Sequence, residues 1–476
     1  MTQDLTQLTA AEIAHGIRLG RFSSVEVTEQ HLDRIHARND RTNSFITVTD
    51  ELARELASYA DDAIASGTVF GPLHGVPVAI KDLDDVEGVR RTSGSLLFED
   101  NVSEADAPFV ERLKAAGAVI VGKTNTPEFA LGTTTDNRII GKTGAPFDPD
   151  RVAGGSSGGA AAAVGDNLVP LAQGSDTGGS IRAPASFCGV YGLKPTFGVI
   201  PKVSRPDGFA IHTPFSHHGP LTRTVEDAAL MLDVMAGEHP KDPFSVPARD
   251  TYTSAINRPI DELRIAYSPD LGLYPIDPAV RATLDDAISA FERAGATVER
   301  TDPEFGLEQD EIVDAYYTFA TARWQGLLES LERQGFDPWG EHRDLLRPYF
   351  VDIVVESESP SLAEYRRANV VRTRVLDGFN ELFESYDLLV SATLAVTAFE
   401  HGDEPESIDG VPIDPLRGWT LTQPYNFTGH PAASIPAGNV DGRPVGMQIA
   451  GQRHADADVI AASATFERVN PWTERN

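Results

Sequence analysis

Residues 153–182 read AGGSSGGAAAAVGDNLVPLAQGSDTGGSIR. Two clusters stand out, Gly154-Gly155-Ser156-Ser157-Gly158-Gly159 and Gly174-Ser175-Asp176-Thr177-Gly178-Gly179-Ser180, joined by an alanine-rich run. Glycine beside serine lets the backbone turn sharply, approach a ligand closely and aim several N–H groups at one point. One such cluster reads equally well as a tight turn. Two of them, 24 residues apart from Ser156 to Ser180, point to a chemical site with a serine in it.

Four chemistries compete for this segment. A phosphate-binding loop needs G-x-x-x-x-G-K-[ST]. Gly174 and Gly179 have the glycine spacing, but Ser180 and Ile181 stand where the lysine and hydroxyl should be. A nucleophile elbow, G-x-S-x-G, is matched literally by residues 154–158, but it requires a strand immediately before the serine. The preceding GAPFDPDRV, residues 144–152, reads as loop, and no downstream histidine is marked as a partner. Metal catalysis lacks H-E-x-x-H and C-x-x-C patterns. His217 and His218 are adjacent, so their side chains diverge, and a surface or supporting role is expected. The remaining reading is a serine activated by lysine. Lys81 is the candidate, because it ends the apolar run VPVAIK at 76–81 in a chain with 7 lysines among 40 basic residues. Taken alone, Lys81 reads as an ion-pair partner of Asp82 or Asp84.

The elements that must position these residues alternate between helix and strand. Thr9–Glu12 and Ser23–Glu26 carry capping-box signatures ahead of apolar-periodic runs, and a strand at 45–48 separates them from a helix near 51–66. Residues 76–81 read as a buried strand. A helix over 111–117 ending on glycine, then a strand at 118–121, is echoed by a helix over 291–295 and a strand at 296–298. Further helices fit 225–235, 278–294, 313–332, 361–385 and 456–469; strands fit 264–267, 388–391, 433–436 and 445–449. Residues 237–259 read as a polar loop. This alternation predicts an α/β architecture. No low-complexity linker cuts the chain, so one catalytic domain with insertions is expected.

Composition bounds the rest. The 476 residues carry 71 acidic and 40 basic side chains, a formal net charge of −31. The acidic residues are scattered, which describes a surface rather than a tail. An acidic, lysine-poor surface is the composition of a halophilic protein, in which salt screens self-repulsion. It argues against direct nucleic-acid binding, which needs cations to neutralise phosphates. There is no signal-peptide pattern at the N-terminus and no apolar stretch long enough to span a membrane. The lone Cys188 excludes an internal disulfide and a thiolate zinc cage, and a cytoplasmic location is expected. A free cysteine is more often a buried packing residue than a nucleophile.

At this point the residues match a family. GGSSGG at 154–159, GSDTGGSIRAPASFCGVYGLKPT at 174–196 and the strand-borne Lys81 resemble the amidase-signature hydrolases. So do HGVPVAIKDL at 74–83, GAVIVGKTNTPEFA at 117–130, GPLTRTVEDAALMLDVMAG at 219–237 and QPYNFTGHPAASIPAG at 423–438. The resemblance covers most of 70–240 and 420–470 and fades across 240–415. It implies an α/β/α sandwich, a mixed twisted sheet covered by helices on both faces. It divides the chain into an N-terminal helical part (1–70), a catalytic core (71–240), a variable substrate-side insertion (241–415) and a C-terminal part completing the core (416–476).

The resemblance also implies roles. Ser180 would be the nucleophile, Ser156 a relay on a cis peptide after Gly155, and Lys81 the base. The N–H groups of Thr177, Gly178, Gly179 and Ser180 would form the oxyanion hole, with Asp176 and Arg182 in supporting roles as an ion pair. Lysine can act as a base only when neutral, so its pKa must fall from about 10.4 to roughly 7–8, and burial pushes that way. The expected reaction is hydrolysis of a small-molecule amide, with no cofactor and no metal. Trp419 and Tyr425 are candidate walls of an acyl pocket, with core packing the equal alternative. A second reading is the glutaminase component of a tRNA-dependent amidotransferase. Trp419 stands near where that component carries an acidic residue, and His217 and His218 stand where it tends to carry Asp-Gln. Both departures favour a stand-alone enzyme. A homodimer is left open, since the sequence does not fix the oligomeric state.

Overall fold

The structure, a computed structural model, describes residues 3–209 and 216–472; Phe215, at the start of the stretch that leads into His217 and His218, lies outside the described residues. Its strands are β1 (Phe45–Val48), β2 (Pro77–Lys81), β3 (Val119–Thr124), β4 (Leu171–Asp176), β5 (Tyr191–Lys194), β6 (His217–Thr222), β7 (Arg264–Tyr267), β8 (Thr297–Arg300), β9 (Leu388–Ala392), β10 (Ser407–Ile408), β11 (Val411–Pro412), β12 (Ala432–Val440) and β13 (Arg443–Gly451). Eleven of them form one sheet in the order β1-β3-β2-β4-β6-β5-β12-β13-β9-β7-β8, while β10 and β11 form a separate ribbon.

The sheet is mixed. β2 runs parallel to β3 and β4, and β7 runs parallel to β8 and β9. The other pairings are antiparallel, among them β4 with β6 and β12 with β13. Every residue of β2, β3, β4, β5, β6 and β9 is buried. A strand buried on both pleat faces needs cover above and below, and helices supply it. The α/β fold with a mixed, helix-covered sheet is therefore present as expected.

Local signals translate directly at the N-terminus. Both capping boxes form, Thr9 with Glu12 and Ser23 with Glu26. The helix–glycine–strand pattern recurs at the two ends of the sheet: helix Pro108–Ala115 leads into β3, and helix Ser289–Arg293 leads into β8. Residues 241–415 add β7, β8 and β9 to the same sheet, so this stretch extends the core as well as supplying substrate-side elements.

The alanine-rich run between the clusters is helix Gly158–Gly165. Its alanines, Ala160 to Ala163, are all fully buried. A Cβ at Gly159 would stand 2.3 Å from the Asn125 backbone nitrogen, so the small residues let this helix lie against β3 and its following loop.

Candidate active site

β2 delivers Lys81 at its C-terminal end. The backbone N–H of Lys81 donates to Gln173 Oε1 on β4 at 3.1 Å, and its side chain is fully buried. Lys81 Nζ lies 2.7 Å from Ser156 Oγ, 2.8 Å from Ser157 Oγ and 3.1 Å from Ser175 Oγ. The carboxylates weighed as its partners are engaged elsewhere. Asp82 faces Lys123 at 3.5 Å, and Asp84 accepts from Gln173 Nε2 at 3.1 Å and lies 3.7 Å from His218 Nδ1. Three hydroxyls and no carboxylate thus surround the amine. Burial lowers its pKa to about 7, against opposing pulls from Asp84 and Asp176.

Two of these serines, Ser157 and Ser175, are themselves linked by hydrogen bonds. Ser157 Oγ donates to the Ser175 carbonyl at 3.1 Å and accepts from the Ser175 N–H at 3.2 Å, so its own proton is committed. A neutral lysine amine has two protons to donate and one lone pair. All three hydroxyl oxygens stand within hydrogen-bond distance of Lys81 Nζ, Ser156 the nearest. The peptide bond before Ser156 is cis. The Ser157 N–H donates to the Ser180 carbonyl at 3.1 Å, which staples the first cluster to the second.

β4 ends at Asp176 and passes into the second cluster. Arg182 holds both carboxylate oxygens of Asp176, Nε to Oδ2 and Nη2 to Oδ1, each at 3.0 Å. Gly179 N–H donates to Oδ1 at 2.7 Å, Ile181 N–H to Oδ2 at 3.2 Å and Asn426 Nδ2 to Oδ1 at 2.8 Å. Arg182 reaches on to Gln448 Oε1 and Asn426 Oδ1, each at 2.6 Å. Both ion-pair partners are fully buried. Burial opposes the Asp176 carboxylate, but the Arg182 charge and these hydrogen bonds outweigh it and hold the group well below the usual carboxylate range. The carboxylate thereby moulds residues 177–182 into a fixed loop.

The four N–H groups expected to face an oxyanion divide. That of Gly179 is turned to Asp176, whereas those of Thr177, Gly178 and Ser180 have no acceptor among the described residues. Gly179 sits at φ +124, and a Cβ there would fall 2.2 Å from Thr422 Oγ1. Thr422 Oγ1 itself donates to the Gly178 carbonyl at 2.6 Å, pinning the loop from the other side.

Ser180 is half-buried and shares a narrow cavity with Ser156 and Thr177. Tyr316, Phe319, Ala320, Arg323 and Trp324 form one wall. They belong to helix Gln309–Arg333 at spacings of three, four, seven and eight, a single helical stripe. Phe129, Ala130 and Arg417 complete the wall. A larger cleft of about 1420 Å³ adjoins it, lined by Asp84, Ser175, Lys202 and His218 and sharing Phe129, Phe319, Arg323 and Trp324 with the narrow cavity.

Several sequence expectations change. Trp419 and Tyr425 are fully buried core residues and do not line the cavity. The Trp419 indole N–H donates to the Pro415 carbonyl at 2.8 Å and its ring stacks on Phe187; Tyr425 stacks on Phe379. Closing an aromatic ring between strand and helix buries more apolar area than lining an open pocket does, and that packing decides their place. His217 and His218 are buried on β6, not at the surface, opposite Asp176 and Ser175 of β4. Cys188, by contrast, is buried as expected, its Sγ 3.5 Å from the Ala153 carbonyl, and desolvation pushes its thiol pKa up. Ser157, Ser175, Gln173 and the stripe on helix Gln309–Arg333 received no role from the sequence. The 3.6-residue period of that helix was visible, but which object it faces was not.

The family model for Amidase matches residues 26–460. The chain belongs to the amidase signature family. It is 38% identical over 477 residues to an acylamidase from Rhodococcus erythropolis, covering 99% of this chain and 98% of that one. It is 37% identical over 487 residues to a component of the glutamyl-tRNA(Gln) amidotransferase of Thioalkalivibrio sulfidiphilus, covering 98% of each. The fold superposes on the crystal structure of a bacterial aryl acylamidase of the amidase signature family with a TM-score of 0.94, at 36% identity, over 98% of this chain and 97% of that one. As an amidase signature hydrolase, the chain thus shares its whole length with proteins of amide chemistry. Among the described residues no helix is long and apolar enough to cross a membrane.

Proposed function

We propose that this amidase signature protein hydrolyses the C–N bond of a small carboxamide through an acyl-enzyme on Ser180. The observation that carries the reading is the buried Lys81 amine, 2.7 Å from Ser156 Oγ, beside a cavity whose wall holds both Ser156 and Ser180. Neutral Lys81 takes the proton of Ser156 as Ser156 takes that of Ser180. Ser180 Oγ attacks the amide carbonyl carbon. The N–H groups of Thr177, Gly178 and Ser180 receive the developing oxyanion; one such donor is typically worth about 10²–10³ in rate. The proton returns from Lys81 through Ser156 to the nitrogen, the C–N bond breaks, and ammonia or an amine leaves. Water then attacks the ester carbon, passing a proton through Ser156 to Lys81; the bond to Ser180 Oγ breaks, that proton returns to Ser180, and the acid leaves as a carboxylate after losing its own proton to solvent.

The relatives include both acylamidases and amidotransferase components, so the stand-alone reading rests on the site. The charged walls of the narrow cavity are Arg323 and Arg417, with no Asp or Glu among them. The ammonium group of glutamine would meet two guanidiniums there. The test is an assay of the purified chain against small aliphatic and aryl amides and glutamine, with Ser180→Ala and Ser156→Ala alongside. Cleavage of simple amides by the chain alone, lost in Ser180→Ala, is expected. Glutaminase activity that requires partner proteins would overturn the stand-alone reading, and full activity in Ser180→Ala would remove the nucleophile.

A further inference from the structure

The narrow cavity beside Ser180 holds two arginines and no acidic residue. Arg417 Cζ lies 4.6 Å from the centroid of the Tyr316 ring, and its guanidinium makes no hydrogen bond or ion pair among the described residues. Arg323 stands further along helix Gln309–Arg333, past Tyr316 and Phe319, and its side chain makes one hydrogen bond, from Nη1 to Thr177 Oγ1 at 3.3 Å. Neither has a carboxylate within ion-pair distance among the described residues. Phe129, Ala130, Phe319, Ala320 and Trp324 form the apolar part of the wall, and Tyr316, Ser156, Thr177 and Ser180 complete the lining.

This is an unforced arrangement in so acidic a chain. With 71 acidic residues against 40 basic ones, carboxylates to pair with arginine are abundant, and Arg347 and Arg151 find theirs in Asp136 and Asp148. Arg417 is buried with no counter-ion among the described residues, and Arg323 reaches the same cavity from its exposed side, so an incoming anion meets two uncompensated positive charges. A guanidinium presents a planar fork that matches a carboxylate in two parallel hydrogen bonds, and an aromatic face such as that of Tyr316 holds the fork flat.

We infer that the substrate is an anionic carboxamide, one whose acyl chain ends in a carboxylate that Arg323 and Arg417 bind while the amide carbon sits at Ser180. Monoamides of small dicarboxylic acids are the chemical class. Arg323 lines both the narrow cavity and the larger cleft, so it meets the anion on entry, whereas Arg417 lines the narrow cavity alone and holds it in place. This assignment rests on the amidase reading of the site, and its test separates the two.

The probes are succinamate, adipamate and terephthalamate, each beside its methyl ester, which keeps the shape and removes the charge. Wild-type enzyme is expected to favour at least one anion over its ester by about tenfold or more in kcat/KM, with the preference shrinking as ionic strength rises. Arg323→Met and Arg417→Met are expected to reduce that anion-to-ester ratio by about 10- to 100-fold, and Arg323→Glu to invert it. Because the ratio is internal to each variant, a general loss of folded enzyme does not change it. Binding to Ser180→Ala by calorimetry supplies the same ratio without turnover. Esters cleaved as well as or better than all three anions, or a ratio unmoved by both arginine variants, would overturn the inference and leave the amidase reading standing. Arginine-dependent binding of an anion with no amide cleaved by wild-type enzyme would support the anion site and sink the amidase reading.

Discussion

Lys81 Nζ and Ser156 Oγ meet at 2.7 Å across 75 residues of sequence, inside the core. The contact is made by two different devices. β2 carries the lysine to the end of a buried parallel strand, and the Gly/Ser turn ahead of helix Gly158–Gly165 carries the serine beneath it. Burial lowers the pKa of the amine, and Ser157, beside Ser156 in the chain, donates its own proton to the Ser175 carbonyl.

Activity should follow the deprotonation of Lys81. Its pKa is lowered to about 7 by burial, and the neutral form is the base. The expected log kcat/KM therefore rises with unit slope below about pH 7 and flattens above it. Lys81→Arg keeps the charge at every accessible pH and should lower kcat/KM by about 10³-fold or more. A profile still rising near pH 10 would contradict the assignment.

Breaking the Asp176–Arg182 pair should unfold the loop's support. Arg182→Met leaves a fully buried carboxylate without its counter-charge and its two guanidinium hydrogen bonds, a change that typically costs about 3–5 kcal/mol. Asp176 has a depressed pKa in the native protein, so its contribution is present above the unfolded value of about 3.9 and lost only as pH falls through the lower folded value. In Arg182→Met the burial penalty is uncompensated, the carboxyl pKa rises, and protonation relieves it. Urea denaturation should show a larger deficit at pH 7 than at pH 5; equal deficits would refute this.

Gly179→Ala should damage both fold and site. The position has φ +124, and the new methyl would stand 2.2 Å from Thr422 Oγ1. A loss of about 2 kcal/mol in stability is expected from strain and overpacking, with kcat down by about 10²-fold as the neighbouring N–H groups shift. Denaturation and steady-state kinetics on the same preparation check both; wild-type kcat would show that the loop geometry is not used.

Cys188→Ala should leave amide hydrolysis intact, and iodoacetamide should fail to inactivate the native enzyme. The thiol is buried and its pKa is pushed up by desolvation, so almost no thiolate exists at neutral pH. Inactivation by thiol reagents would point to a cysteine mechanism instead.

Stability should climb with salt. A net charge of −31 spread over the surface repels itself, and KCl screens that repulsion. The melting temperature is expected to rise between low and molar KCl. Equal or greater stability at low salt would remove the halophilic reading.

Sequence alone determined what is local or patterned. Capping boxes at Thr9 and Ser23 form because a side chain three residues away completes them. Helices Val225–Met235 and Asp456–Val469 and strand Arg264–Tyr267 begin and end where apolar period and punctuation place them. The two Gly/Ser clusters and Lys81 stand out by residue type and spacing, whereas the roles expected of them and of Asp176 and Arg182 come from the resemblance to the amidase-signature hydrolases. Only the tertiary structure decided the rest. β4 holds Gly174, Ser175 and Asp176, residues that disfavour strands, and becomes one because β2 and β6 flank it. Trp419 and Tyr425 went into the core while Tyr316, Phe319, Arg323 and Trp324 reached the cavity. An apolar stripe states that a helix face is covered, but its covering surface is chosen by packing among segments hundreds of residues apart, and no local pattern records that choice.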